Sequence, residues 1–224
     1  MTRSYTLDLA KETSRVLGDA LSTFLAFNGG DFQFVGKMRL TRVDGTEIPK
    51  EDHAEVLNDL TQVLPTLLFG TTSEPDAASY AEMASRVTEI QRQLEASMTL
   101  MLSTKQCALV CTVSEFYARL FTGQLEYALD YLTTTGGCFA GNHAEVRAIC
   151  TKVKRLLFGL ESSVSLGVGH RAASADKDIS WDIYEVVRHR LAWDRHPGGG
   201  MTVDFGRPMH WHKGVPAVII KEAT

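Results

Sequence analysis

One segment of the chain occurs twice, and this repetition constrains the fold more than any other feature of the sequence. Residues 53–56 read HAEV and begin a segment that ends in LLFG at 67–70. The same two tetrapeptides recur, in the same order, at 143–146 and 156–159. Two such matches, separated by about one helix length, are not expected by chance and indicate an internal repeat. The chain is therefore predicted to contain two diverged copies of one structural unit.

The match extends upstream of these tetrapeptides. Residues 4–9 (SYTLDL) align with 97–102 (SMTLML) at an offset of 93, and the same offset aligns Phe24 with Tyr117. Apolar residues alternate with polar ones in the first part of each copy and then recur every three or four positions, which predicts a short strand followed by helices. We therefore predict a mainly helical α+β protein, with an internal duplication of a strand-plus-helices unit, a C-terminal helix and short strands.

The pattern also predicts the bounds of the elements and of three domains. The first copy with a bridging helix covers 1–96, the second copy covers 97–159, and an aromatic and basic extension packed on the second copy covers 160–224. Side chains at Asp52 and Asn142 are predicted to cap the HAEV helices. The remaining predicted elements are strands at 5–9, 98–102, 201–205 and 215–220, an extended segment at 31–43, helices at 10–27, 77–96, 103–121 and 124–132, and a loop at 160–177. One more amphipathic helix is marked by Trp181, Tyr184, Val187 and Leu191 and is ended by the PGGG run at 197–200.

Composition limits the classes of function. The formal net charge is -4 and the sequence pI is about 6.0, which argues against general nucleic-acid binding, since that needs a clustered positive surface. The sequence contains neither an apolar run of the roughly 18 residues that cross a bilayer nor a signal-peptide core, so we expect a cytosolic protein without a membrane partner. Its four cysteines all fall in the second copy and are expected to be reduced core residues: Cys107, Cys111, Cys138 and Cys150.

The most unusual composition lies between Ser180 and Lys213, which hold all three tryptophans and four of the seven histidines. Aromatic rings stack on bases and guanidinium groups bind phosphates, so this mixture suits a nucleotide-like or other anionic small molecule. The alternative is that the aromatic residues pack the terminal segment onto the core. The predicted ligand-binding residues are Trp181, Tyr184, Arg188, His189, Trp193 and Arg195.

Two further motifs in this region have structural alternatives. Residues 197–200 (PGGG) could bring backbone amides close to a phosphate, but they follow a helix and are better explained as a turn. His210 and His212, with His196 or Asp194, form a loose metal-binding pattern, for which histidines of an exposed tail are the alternative. Catalytic motifs are absent from the sequence, and we predict no catalytic residues, no cofactor and no metal site.

The run WDIYEVVRHRLAWDRHPGGGMTVDFGRPM at 181–209 resembles the end of a family of uncharacterised proteins encoded by bacteriophages and prophages. Residues 115–119 (EFYAR) and 123–126 (GQLE) are similar to the middle of that family. The resemblance covers Ser97 to Met209. It implies a phage protein that acts in the host cytoplasm. The family provides no catalytic residues that could be assigned to positions of this chain.

These observations lead to one functional expectation and two alternatives. We expect a non-enzymatic phage binding protein with a counter-defence or host-takeover role, acting by sequestering a nucleotide signal. The first alternative is a protein–protein inhibitor of a host factor, and the second is a metal-assisted phosphoester hydrolase that uses the C-terminal histidines. In addition, apolar faces exposed on single repeats would allow a homodimer.

Overall fold

The computed structural model describes residues 3–28, 58, 77–127, 143–161, 164–170 and 174–223. Most of the described residues are helical, and a small antiparallel sheet accompanies the helices, so the prediction of a mainly helical α+β protein is confirmed. The elements, in order, are β1 (Ser4–Asp8), α1 (Lys11–Asn28), α2 (Ala77–Ala96), β2 (Thr99–Ser103), α3 (Thr104–Phe121), α4 (His143–Phe158), α5 (Ala175–Arg195), a 3-10 turn (Val203–Phe205) and β3 (Ile219–Glu222).

Periodic segments form the elements that their patterns predict. The bounds of β1, α1, α2, β2 and α3 lie within a residue or two of the predicted ones, and a helix follows the second HAEV motif. Gly123, predicted as a break, has a φ of 77°, a backbone conformation that favours glycine. The predictions at 31–43, at the first HAEV helix, at both N-caps and at Cys138 lie outside the described residues.

Near the C-terminus one predicted boundary is shifted and two predicted strands are wrong. The described residues of the predicted loop at 160–177 lie outside helices and strands up to Ser174, but its last three residues belong to α5. Helix α5 begins at Ala175 because the Ser174 side chain accepts a hydrogen bond from the Asp176 N–H. The predicted strand at 201–205 is instead a bend followed by the 3-10 turn Val203–Phe205. The last strand covers Ile219–Glu222, later than predicted.

The three strands form a sheet in the order β2-β1-β3, and both neighbours of β1 run antiparallel to it. Leu7 lies opposite Leu100 on one side of β1 and opposite Ile220 on the other. Tyr5, Leu7, Leu100 and Leu102 are buried, whereas Met101 is exposed. One face of the sheet therefore packs on the core, as the alternation in the sequence predicts.

The described chain divides into two compact units. The first unit comprises Met1–Phe24, Ala84–Ala118 and Ser174–Thr224, so it contains the whole sheet and α5. Helices α1 and α3 meet in its core, where the rings of Phe24 and Phe116 pack edge to face with centroids 5.4 Å apart. The predicted domains follow the repeat and stay a prediction.

The second unit comprises Leu25–Met83 and Arg119–Ala173. Within it, α4 buries one face through Val146, Ile149, Cys150 and Val153. The Leu166 N–H donates to the Thr122 carbonyl over 2.9 Å, which holds the residues after α4 beside the end of α3.

Candidate functional site on α5 and the tail segment

The predicted ligand-binding residues lie on α5, whose opposite side is fixed to the core of the first unit. Ile179, Ile183 and Val187 are buried at helical spacing. The buried Ser180 hydroxyl donates to the Ser114 carbonyl over 2.9 Å. The chain after α5, residues 196–218, is called the tail segment below. The site is thus built from the outward face of α5 and the tail segment.

Trp181, Tyr184 and Arg188 contact one another along α5, with the Trp181 and Tyr184 rings inclined by 57°. The Trp181 and Tyr184 rings lie 4.9 Å apart, and the Arg188 guanidinium lies 4.9 Å from the centre of the Tyr184 ring. Glu185 joins the two ends, because it accepts hydrogen bonds from Trp181 Nε1 and from Arg188 Nη2, both over 3.2 Å. Spacings of three and four residues place these side chains together. The structure therefore brings half of the predicted residues into one cluster.

Arg188 makes further contacts with the tail segment. Its Nε lies 3.4 Å from Asp204 Oδ1, and its Nη2 lies 3.5 Å from the Val203 carbonyl oxygen. The Arg188 side chain is 15% exposed, so its guanidinium is largely surrounded by protein groups. Because Glu185 and Asp204 both face it, its charge is balanced within the protein. An anionic ligand would have to displace Asp204 to reach Arg188.

The other predicted residues lie near the C-terminal end of α5. Trp193 Nε1 donates to His189 Nε2 over 3.0 Å, and the Trp193 ring packs edge to face on Phe205 at 5.6 Å. Arg195 donates from Nε to the Leu191 carbonyl, one of the last carbonyls of α5, over 3.2 Å. Trp193 remains 39% exposed, so its ring is more exposed to solvent than the rings of Trp181 and Tyr184, which are half-buried.

The glycine run at 197–200 lets the tail segment approach these aromatic rings. Gly199 has a φ of 78°, and a Cβ there would lie 3.3 Å from the Trp193 ring. A Cβ at Gly200 would lie 2.4 Å from Cε2 of Phe205. Gly199 and Gly200 are therefore needed for close packing of the turn on Trp193 and Phe205, which accounts for these two glycines without a phosphate.

Exposed apolar side chains concentrate around this turn. Among the residues that the structure describes, eight large apolar side chains are exposed, and four of them lie between 193 and 209. Met201 is fully exposed and Val203 is 75% exposed. Soluble proteins rarely expose large apolar side chains in a cluster unless the surface has a partner. The four are Trp193, Met201, Val203 and Met209.

The basic side chains near these apolar residues outnumber the acidic side chains that could neutralise them. Asp194 is ion-paired with Arg3 over 2.8 Å and with Arg190 over 2.9 Å, and Asp204 faces Arg188. Arg195, Arg207 and Lys213 are exposed, and none has an ion-pair partner within the described part of the chain. The surface is thus apolar and basic on a chain of net charge -4. We give the name Trp193 face to the exposed apolar and basic residues that lie close together in sequence at the end of α5 and in the tail segment: Trp193, Arg195, Met201, Val203 and Arg207.

The His210 side chain and the backbone N–H groups at 211 and 212 attach the tail segment to α5. His210 lies with Nδ1 2.7 Å from Asp182 Oδ2 and with Nε2 3.0 Å from the Val215 carbonyl oxygen. The buried Asp182 carboxylate also accepts the Trp211 and His212 N–H groups over 2.7 and 3.2 Å. Sequence reasoning missed Asp182, because nothing in its local pattern distinguishes it from other acidic residues of α5.

The metal-binding pattern is not assembled among the described residues. They contain no group of three or more His, Cys, Asp or Glu side chains placed to hold a metal ion. Both ring nitrogens of His210 are occupied, His196 lies beside Phe205, and Asp194 is ion-paired. The geometry therefore gives the phosphoester hydrolase alternative no metal centre in this part of the chain.

The described cysteines belong to the interior. Cys107 and Cys150 are buried, Cys111 is half-buried, and all three are free thiols. Burial raises the pKa of each thiol to about 12. A thiol with such a pKa carries almost no thiolate at neutral pH, so these residues have the properties of core cysteines and lack those of nucleophiles.

Fold and site together define a mainly helical α+β protein with an apolar and basic surface on α5 and the tail segment. Within the described residues, no helix combines the length and the apolar character that crossing a membrane requires. No protein-family model matches the chain, and searches of curated proteins and of solved structures find no significant similarity.

Proposed function

We propose that this chain is a non-enzymatic phage protein that acts in the host cytoplasm by binding a host protein, with a counter-defence or host-takeover role. The observation that carries the proposal is the Trp193 face. Met201 is fully exposed and Val203 is 75% exposed, and both follow the partly exposed Trp193 closely in sequence. Tryptophan and arginine dominate the energetics of protein interfaces, and exposed apolar side chains beside them supply the area that a partner can cover.

The contacts of the predicted ligand-binding residues favour a protein partner over a nucleotide. The Trp181 and Tyr184 rings contact each other with their planes inclined by 57°, and Arg188 faces two carboxylates. A nucleotide phosphate at this cluster would compete with Glu185 and Asp204 for the Arg188 guanidinium. On the Trp193 face, by contrast, Arg195 and Arg207 are exposed and lack ion-pair partners among the described residues. The partner that fits is therefore an acidic protein surface with an apolar side chain at its centre.

The internal duplication also belongs to this proposal. We infer that β1–α1 and β2–α3 descend from one duplicated unit. Helices α1 and α3 both contain 18 residues and begin 93 positions apart, at Lys11 and Thr104. The binding surface lies outside both copies, on α5 and the tail segment. A duplicated unit would thus serve as scaffold for a C-terminal surface that neither copy contains.

Affinity capture from bacterial lysate tests the binding proposal, with two matched valine variants. Val203→Glu places a charge on the Trp193 face, and Val164→Glu places the same charge at another exposed valine, which is 47% exposed. We expect the wild-type protein and Val164→Glu to retain the same host protein and Val203→Glu to lose it. Equal capture by all three would reject the Trp193 face as the binding surface.

Calorimetry with a panel of nucleotides separates the two binding alternatives. We expect no heat of binding from the wild-type protein, because Arg188 is already faced by Glu185 and Asp204. Stoichiometric heat that disappears in Arg188→Ala would instead establish nucleotide sequestration and overturn the choice of a protein partner.

A further inference from the structure

The outer edge of β2 has an unusual set of contacts. The Leu9 N–H donates to the Met98 carbonyl, which shows that the alternate residues Met98, Leu100 and Leu102 point their backbone groups toward β1. The N–H groups of Thr99, Met101 and Ser103 consequently point away from β1, along the edge of β2 that pairs with none of the described strands. An edge of this kind is a template for pairing with another strand.

A side-chain oxygen accepts a hydrogen bond from each of these three N–H groups. The Thr99 N–H donates to Ser97 Oγ over 3.0 Å, and the Met101 N–H donates to Gln93 Oε1 over 2.9 Å. The Ser103 N–H donates to Gln106 Oε1, also over 2.9 Å. Every outward N–H group of the strand is therefore satisfied without a neighbouring strand.

The acceptors are themselves held in place. Gln93 donates from Nε2 to Glu89 Oε1 over 3.1 Å, which orients its amide with the oxygen toward Met101. The Ser103 hydroxyl also donates to Gln106 Oε1 over 2.8 Å, and the Gln106 N–H donates back to Ser103 Oγ. Ordered acceptors of this kind cost an incoming strand more to displace than water does.

The usual protections of an edge strand are missing from this sequence. Residues 97–104 read SMTLMLST and contain neither a charged residue nor proline. Met98 and Met101 are 51% and 53% exposed beside the edge. Natural edges are usually protected by lysine, proline or a bulge. Here the three side-chain acceptors take that role.

We infer that Gln93, Ser97 and Gln106 keep β2 from pairing with β2 of a second copy of this chain. A second copy is the partner because two uncharged β2 strands can approach antiparallel without repulsion, and because an exposed methionine on each would gain an apolar neighbour. The opposite edge of the sheet is β3, which carries the charged residues Lys221 and Glu222, whereas β2 carries no charge. This inference is independent of the proposed host partner.

Light scattering of the double variant Gln93→Leu/Gln106→Leu tests the inference. We expect its mass to be twice that of the wild-type protein at the same concentration, with the exchange rate of the Met101 amide reduced by strand pairing. Adding Met101→Lys, which places charges on both partners, should restore the wild-type mass. Gln93→Ala is the second variant, because it frees the central donor with the smallest change to the protein.

Two results would overturn the inference. One is a folded variant, single or double, that keeps the wild-type mass while its Met101 amide exchanges faster. The other is a larger assembly that persists after Met101→Lys, since such an assembly would form through another surface.

Discussion

The α-carbon of Gly200 lies so close to the ring of Phe205 that a Cβ there would be 2.4 Å from Cε2. Phe205 in turn packs edge to face on Trp193, so this contact fixes the turn after α5 against the helix. Hydrophobic rings in van der Waals contact with glycine leave no room for a methyl group, and the ring must move if one is added.

Gly200→Ala is expected to destabilise the protein by about 1–3 kcal/mol, the usual cost of overpacking. Gly198→Ala is the matched control, because a Cβ there meets nothing within 4 Å and its free energy of unfolding should change by less than about 0.5 kcal/mol. Urea unfolding measures both variants. Equal stabilities would show that Phe205 shifts without cost.

Asp182→Ala is expected to lower the free energy of unfolding by about 2–4 kcal/mol, since it removes a buried acceptor of three hydrogen bonds and leaves the His210 imidazole without its carboxylate. Asp19→Ala is the control, because Asp19 is 53% exposed and its pair with Arg15 is a surface ion pair. The two variants are compared by chemical denaturation. A small effect at Asp182 would mean that water replaces it at the Trp211 and His212 amides.

Arg190→Gln is expected to destabilise the protein more than Arg3→Gln. Arg190 donates to both Asp194 and Glu222 over 2.9 and 3.0 Å and is 29% exposed. Arg3 also pairs with Asp194, over 2.8 Å, but it is 43% exposed and lies 3.8 Å from Glu222. Exposed ion pairs contribute about 0–1 kcal/mol and are screened by salt. The melting temperatures should therefore differ at low salt and converge in high salt. The reverse order would place the stabilising contact at Arg3.

The buried thiols predict a dependence of stability on alkaline pH. Burial raises the pKa of Cys107 from 9.0 to about 12, and the same holds for Cys111 and Cys150. A group whose pKa is higher in the folded state stabilises that state fully below its unfolded pKa. The stabilisation is lost as the pH rises from about 9 toward 12.

The burial of the thiols is measured with a thiol reagent at pH 8 in a Cys138→Ser protein. All three remaining thiols should react slowly when the protein is folded and fast after unfolding in urea. Reaction of any of them at the rate of a free thiol, without unfolding, would contradict the burial.

The sequence predicts the periodic elements and misses contacts made over long separations. Helix α2 covers the predicted 77–96 because apolar residues recur along it without interruption. The tail segment has no such period. Its path depends on Asp182 binding His210 and on Trp193 packing against Phe205, contacts that no local pattern specifies. For this reason the sequence predicts a strand at 201–205, where the chain instead forms a bend and a 3-10 turn.

The repeat has one geometric counterpart. Leu7 and Leu100, which the offset of 93 relates, lie directly opposite each other in the β1–β2 ladder. That is the arrangement expected if a twofold axis passes between two copies of one strand. The duplication itself stays a prediction, because the first HAEV helix lies outside the described residues.

The position of β1 between β2 and β3 bears on the synthesis of the chain. Strand β3 is the last of the three to leave the ribosome, long after β2 has emerged. Until then, β1 and β2 can form only a two-stranded ribbon, which is marginal in water. During most of translation, the side of β1 that later pairs with β3 therefore has no strand beside it. A chaperone that recognises exposed strands could bind β1 during that time.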